Sequence, residues 1–189
     1  MASSPRRRGA LAAASLTAGP FRVVALLGKR EYARTYRAVA EDGTSVVLKE
    51  LWLTRVPDTK TLDAFDAEVR VLARLKHPRI PRFRESFTTG AGKDVRFTLA
   101  MDEVRGTALS EVVKRHGPLA LAEVERLVGQ TLDLLSYLQR QQPKVLHRDV
   151  KPANLIQRPD GSVVLVDFGV ARVVETAADG TLVGCSGGM

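Results

Sequence analysis

The densest chemistry in this sequence lies between residues 147 and 169. The run His147-Arg148-Asp149-Val150-Lys151-Pro152-Ala153-Asn154 sets a carboxylate, an ammonium and an amide close together, and Pro152 restricts the loop that carries them. Asp149 and Asn154 are five residues apart. On a loop held by a packed scaffold, that spacing can aim both side chains at one nucleotide–metal centre. Thirteen residues after Asn154 comes Asp167-Phe168-Gly169, directly behind the apolar run Val163-Val164-Leu165-Val166. A carboxylate that leaves a buried strand and is followed by a permissive glycine is well placed to hold a hard cation such as Mg2+.

These groups need elements to position them, and the apolar periodicity supplies candidates. Up to about residue 53, β-branched and apolar clusters alternate with turn residues, which predicts antiparallel strands over 23–28, 34–40 and 45–52, with Glu41-Asp42-Gly43-Thr44 as a hairpin turn. The period then changes. Leu62, Phe65, Val69, Leu72 and Leu75 recur three or four apart, the stripe of a helix over 61–76 that Pro78 and Pro81 stop. Two further strands are predicted over 82–88 and 95–101, and a short helix over 107–115 that ends at Gly117-Pro118. The longest periodic segment, 119–141, reads as a core helix with Val124, Leu127, Val128, Thr131, Leu135 and Leu138 on its buried face. No internal repeat is visible.

Composition narrows the class of molecule. With 189 residues, 44% hydrophobic and 26% charged, the chain is ordinary globular material, long enough for one good core or two small lobes. Its single cysteine, Cys185, cannot close an internal disulfide, which fits a reducing cytoplasm. No apolar run is long enough to span a membrane. The net charge is +8, but only Arg6 to Arg8 form a basic run and the few aromatics do not interleave with the basic residues, so nucleic acid is not the expected partner. Residues 1–19 read as a flexible basic tail.

The HRDVKPAN run followed by DFG resembles the protein kinase family, and Lys151 within it is the pattern of the serine/threonine branch. The resemblance implies an α+β fold of two lobes: an antiparallel five-stranded first lobe with one helix over 20–101, and an incomplete, mostly helical second lobe over 102–189. It implies ATP and Mg2+ as cofactors and a protein with a serine or threonine acceptor as substrate. In that reading Asp149 takes or orients the proton of the acceptor hydroxyl, Lys151 contacts the transferred phosphoryl group, and Asn154 and Asp167 hold the metal. Val46-Val47-Leu48-Lys49 resembles the family's third strand, so Lys49 binds the α- and β-phosphates. The helix running into His77-Pro78 then supplies Glu68 as its partner, although without the resemblance Glu50 and Asp66 are equally eligible. Leu99-Ala100-Met101-Asp102-Glu103-Val104 resembles the last strand and hinge, with Met101 at the gatekeeper position and backbone groups of Asp102, Glu103 and Val104 facing the adenine.

Two departures from the family pattern stand out. The glycine-rich loop keeps only Gly28, with Arg30 and Ala33 at the other two glycine positions, so close approach of backbone to phosphate is harder, unless Lys29 and Arg30 compensate by charge. After DFG, Gly184-Cys185 stands where Gly-Thr is usual, and Met189 comes before any APE tripeptide, which reads as a truncated form. Thr176, Thr181 and Ser186 are the possible phosphate acceptors of that segment. The alternative to an active enzyme is a pseudokinase-like module that binds nucleotide or a partner without phosphotransfer.

Overall fold

The computed structural model describes residues 17–176 and 182–184. The first half builds one antiparallel sheet from β1 (Thr17–Ala18), β2 (Phe21–Lys29), β3 (Ala33–Val39), β4 (Ser45–Trp52), β5 (Phe83–Thr89) and β6 (Arg96–Asp102), in the order β1-β2-β3-β4-β6-β5. The helix α1 (Thr59–Arg74) lies between β4 and β5 in the chain. The expected five strands are all present. The sixth, β1, pairs Thr17 with Arg22 and Ala18 with Phe21, so residues 17 and 18 belong to the sheet and not to a tail. A two-residue strand carries no periodicity, and only the burial of Ala18 and Phe21 marks it. Residues 1–16 lie outside the described part.

Strand alternation gives this sheet two different faces. On β4, Val46, Leu48 and Glu50 point to one side, and Val47 and Lys49 to the other. The first side packs Ala18, Phe21, Ala38, Val46, Leu48 and Ala100 into a small outer core, with the Phe21 and Phe87 rings stacked. At the turn between β3 and β4, Gly43 adopts φ +80°, and Thr44 N–H donates to Asp42 Oδ1 at 2.8 Å, which is the hairpin chemistry those residue types predict.

The second half contributes β7 (Thr107–Ala108), α2 (Leu109–His116), α3 (Leu121–Gln139), β8 (Lys144–Leu146), β9 (Leu155–Gln157), β10 (Val163–Leu165), β11 (Arg172–Thr176) and β12 (Leu182–Gly184). The main core joins both halves: Val71, Leu72 and Leu75 from α1, Leu99 and Met101 from β6, Leu127, Leu134 and Leu138 from α3, and Val163 and Leu165 from β10. Truncating a fully buried leucine such as Leu134 or Leu138 would cost about 2–5 kcal/mol.

Both long helices differ slightly from the sequence reading. Helix α1 starts two residues early because Asp58 caps it, accepting from Thr61 N–H at 2.9 Å. The stripe of α3 is Leu127, Thr131, Leu134 and Leu138, whereas Val124 and Val128 stay exposed on its flank beside Leu121 and Leu132. The observed face is rotated from the predicted one, since positions 127, 131, 134 and 138 follow one another at the spacing of helical turns. No helix among the described residues is long and apolar enough to cross a membrane.

Candidate active site

Two strand pairs decide where the charged loops meet. The loop 147–154 leaves β8 and enters β9, and the loop after β10 leads through Asp167 into β11. β8 pairs antiparallel with β11, and β9 with β10, so both loops emerge at the same end of their strands. A backbone bond from Val166 N–H to Asn154 O, at 2.9 Å, joins them directly. Each loop also contains a side-chain-bearing residue in the left-handed region, Arg148 at φ 67° and Asp167 at φ 65°. Such a conformation costs about 1–3 kcal/mol apiece and persists only where the surroundings impose it.

Lys49 crosses from the sheet to both acids. Its Nζ donates to Glu68 Oε1 at 2.5 Å and to Asp167 Oδ1 at 2.8 Å, residues 19 and 118 positions away in the chain. Glu68 is buried on the inner face of α1, and Asp167 is about half exposed. Burial works to lower the Lys49 pKa, but the two carboxylates outweigh it and hold the ammonium above its usual range. Burial likewise works to raise Asp167, and Lys49 brings it below the ordinary carboxylate value. Glu68 moves the other way, because its own burial pushes it up against the pull of Lys49. The two other eligible acids lie elsewhere. Glu50 is on the opposite face of the sheet, and Asp66 is exposed on α1, paired with Arg70 at 2.5 Å.

Beside this triad, Asp149 is held from two sides. Lys151 Nζ donates to its Oδ2 at 2.7 Å and Asn154 Nδ2 to the same oxygen at 2.9 Å, with a second bond from Asn154 Nδ2 to Asp149 O. The Lys151 bond is the main reason the Asp149 carboxyl sits below its usual range. Sequence reasoning gave His147 no role, although it stood in the motif. It is buried, its ring lies edge-on to Phe168 with centroids 4.7 Å apart, and its Nε2 lies 3.2 Å from Val166 O. Asp149 N–H donates to His147 Nδ1 at 3.4 Å, so the ring is a neutral tautomer that carries its proton on Nε2. Burial holds its pKa down, in keeping with that state. His147 therefore ties the loop of Asp149 to the segment of Asp167.

The remaining candidates surround this centre unequally. Gly28 lines a cavity of about 440 Å3 with Lys29, Arg30, Lys49, Glu68 and Asp167. An adjoining cavity of about 480 Å3 is lined by Arg30, Thr61, Asp149, Lys151 and Asp167. The loop above them is a tight turn in which Arg30 N–H donates to Ala33 O at 2.8 Å, so that amide is committed inside the loop. Met101 is buried on β6 opposite Val47. Glu103 has its N–H bonded to Ser45 O at 3.0 Å and its carboxylate paired with Arg37 at 2.6 Å, which turns both groups toward the sheet. Glu103 and Val104 line a separate cavity of about 750 Å3 together with His77, Pro78 and Arg158.

A divalent cation fits the donor set. Among the described residues no cluster of three or more His, Cys, Asp or Glu side chains could enclose a metal. Mg2+, however, keeps water and phosphate oxygens and needs only one or two protein ligands. Asp167 offers a half-exposed carboxylate beside the cavity. Asn154 uses its amide nitrogen on Asp149, so its carbonyl oxygen is the atom that could serve as a second hard ligand.

A lysine that joins sheet, helix and cleft loop, with a carboxylate–amide loop beside it, is the arrangement on which the family assignment bears. Residues 21–186 match the protein kinase domain, and the chain belongs to that family. It is 33% identical over 162 residues to serine/threonine-protein kinase B of Synechocystis, covering 82% of this chain and 27% of that protein. It is 32% identical over 166 residues to serine/threonine-protein kinase pkn3 of Myxococcus xanthus, covering 85% and 29%. With serine/threonine-protein kinase PknA of Mycobacterium tuberculosis it shares 32% identity over 163 residues, 84% of this chain and 37% of the relative. The chain thus spans well under half the length of these curated relatives.

Proposed function

We propose that this chain carries the ATP-binding and catalytic centre of a serine/threonine protein kinase, which transfers the γ-phosphoryl group of ATP to a protein hydroxyl. The observation that carries the reading is the contact of Lys49 with both Glu68 and Asp167, which draws a sheet, a helix and a loop from the far half of the chain onto one ammonium group. Phosphoryl transfer asks for positioning and neutralisation of charge more than for covalent chemistry. Glu68 holds Lys49 extended into the cleft, where its ammonium takes the α- and β-phosphates. Asp149, kept ionised by Lys151 and Asn154, orients the acceptor hydroxyl and takes its proton. Lys151 steadies the charge of the moving phosphoryl group. Asp167 and Asn154 hold Mg2+, which when bound supplies neutralisation of phosphate charge. Residues 20–101 form the first lobe and the described residues from 102 onward part of the second, with Val104 as the hinge residue beside the adenine and Met101 closing the back of the cleft.

The measurement is transfer of labelled phosphate from Mg-ATP to a basic acceptor protein, or to the chain itself. The wild type incorporates label and Asp149→Asn does not. Equal incorporation by the variant refutes the role given to Asp149. The committed Arg30 amide and the loss of two loop glycines favour one second reading, a module that binds nucleotide without transfer. Saturable Mg-ATP binding with no wild-type incorporation would select it.

A further inference from the structure

The outer face of the six-stranded sheet holds a cluster that the cleft does not use. In the ladder, Arg34 stands opposite Glu50, Glu50 opposite Thr98 and Trp52 opposite Arg96, so all five side chains share the face turned away from Lys49. Three guanidinium groups lie over the single indole: Arg55 with its Cζ 3.8 Å from the ring centroid, and Arg34 and Arg96 each at 4.5 Å. One carboxylate lies among them, and it reaches Arg96 alone of the three. Glu50 is 3% exposed, accepts from Trp52 Nε1 at 2.7 Å and lies 3.7 Å from Arg96 Nη1.

Three like charges on one ring against one acid leave two positive charges uncompensated. Among the described residues Arg34 and Arg55 make no ion pair, and Arg96 Nε is buried without a hydrogen-bond partner. Beyond the side chains described, the sequence holds only two further acids, Glu175 and Asp179, since residues 1–16 and 185–189 contain no Asp or Glu. Indole–guanidinium stacking fixes the forks in place but does not neutralise them.

We infer that this Arg34–Arg55–Arg96 cluster on Trp52 is a docking site for a phosphoserine- or phosphothreonine-bearing peptide. A phosphate monoester carries about −1.5 to −2 charge at neutral pH, which matches the excess, and offers three acceptor oxygens to converging guanidinium donors. A nucleic acid is the weaker fit. Three guanidinium groups occupy the π-surface that a base would stack on, and the charges converge on one point instead of following a strand. The cluster stacks on the face opposite Lys49, with Arg34 and Glu50 also bordering the 440 Å3 cavity, and its test is separate from that of the cleft because it reads phosphopeptide binding and not phosphotransfer.

Trp52 is the only tryptophan, so its fluorescence reports on this site alone. The full chain is titrated with a short glycine-rich peptide carrying one phosphoserine, with its unphosphorylated twin, and with a single-stranded oligonucleotide. The phosphopeptide alone gives a saturable change in emission, and inorganic phosphate competes with it. Arg55→Gln, an exposed position outside the sheet, and separately Arg34→Gln each weaken binding about tenfold, the loss of one charge-assisted pair. Lys114→Gln, an exposed charge on α2, leaves it unchanged. The inference is overturned by no response, by an equal response to the unphosphorylated peptide, by tighter binding of the oligonucleotide, or by equal losses in the Arg55 and Lys114 variants.

Discussion

Lys49 and Glu50 are neighbours in the chain and belong to opposite electrostatic worlds. On the cleft face one ammonium meets two carboxylates, an excess of negative charge that a cation and a cationic loop can complete. On the outer face three guanidinium groups gather on one indole with a single carboxylate, which pairs with Arg96 alone, an excess of positive charge. Nothing separates the two but the alternation of a single strand. Charge composition along the sequence therefore says little about what a sheet offers a ligand, since adjacent residues of opposite sign need not neutralise each other. A net charge of +8 with scattered basic residues is compatible with an acidic cluster on one face of the sheet and a basic one on the other.

The sharpest way to break this separation is to exchange the two positions' roles. Lys49→Met should lower phosphotransfer by about 100- to 1,000-fold through loss of a preorganised cation, while Glu50→Gln should leave Mg-ATP affinity within about twofold. Comparable losses of nucleotide binding in both would mean that the two faces are coupled. Stability responds in the other order. Glu50→Ala strips the indole N–H and Arg96 of their shared acceptor and should lower unfolding free energy by about 1–3 kcal/mol in a denaturant titration.

A gentler probe is pH. Because the folded His147 pKa lies below its ordinary value of 6.5, the unfolded chain binds its proton more readily, and its contribution is complete above that value and declines as pH falls. Asp167, also depressed, adds stability above its ordinary 3.8 that is lost on further acidification. The thermal midpoint should therefore fall in two stages on the acid side, and His147→Phe should flatten the first. An unchanged slope between pH 7 and 5, at about the range where imidazole titrates, would count against a buried neutral His147. The smallest expected effect belongs to Asp66→Ala: about 0.3 kcal/mol from an exposed i,i+4 pair, and no change in nucleotide binding. A large change there would argue that Asp66, not Glu68, is the partner of Lys49.

The sheet strands and both long helices were legible because burial on one side imprints a period of two or about three and a half on the residues. The candidate loops were legible for another reason: Asp149, Lys151, Asn154 and Asp167 sit in short runs that resemble a family's motifs. What escaped had no local signature. Strand β1 is two residues long. The role of His147 depends on Val166 and Phe168, about twenty positions on. The engaged N–H of Glu103 depends on Ser45, and the arginine cluster on four segments between residues 34 and 96, so neither could be read along the chain.

The two ends of α1 are held very differently. At the C-terminal end, Arg74 donates to Gln142 O, Tyr137 OH bonds both Lys76 N–H and Lys76 O, and Arg79 donates to Gln130 O. At the other end, Asp58, Lys60 and Thr61 border the cavity over Asp149. The helix is thus a cantilever clamped near Arg74. With a rise of about 1.5 Å per residue, Thr59 stands about 22 Å from the clamp and Glu68 about 9 Å. A contact that pushes on the Asp58–Thr61 tip therefore acts with better than twofold leverage on Glu68, and so on whether Lys49 keeps its grip.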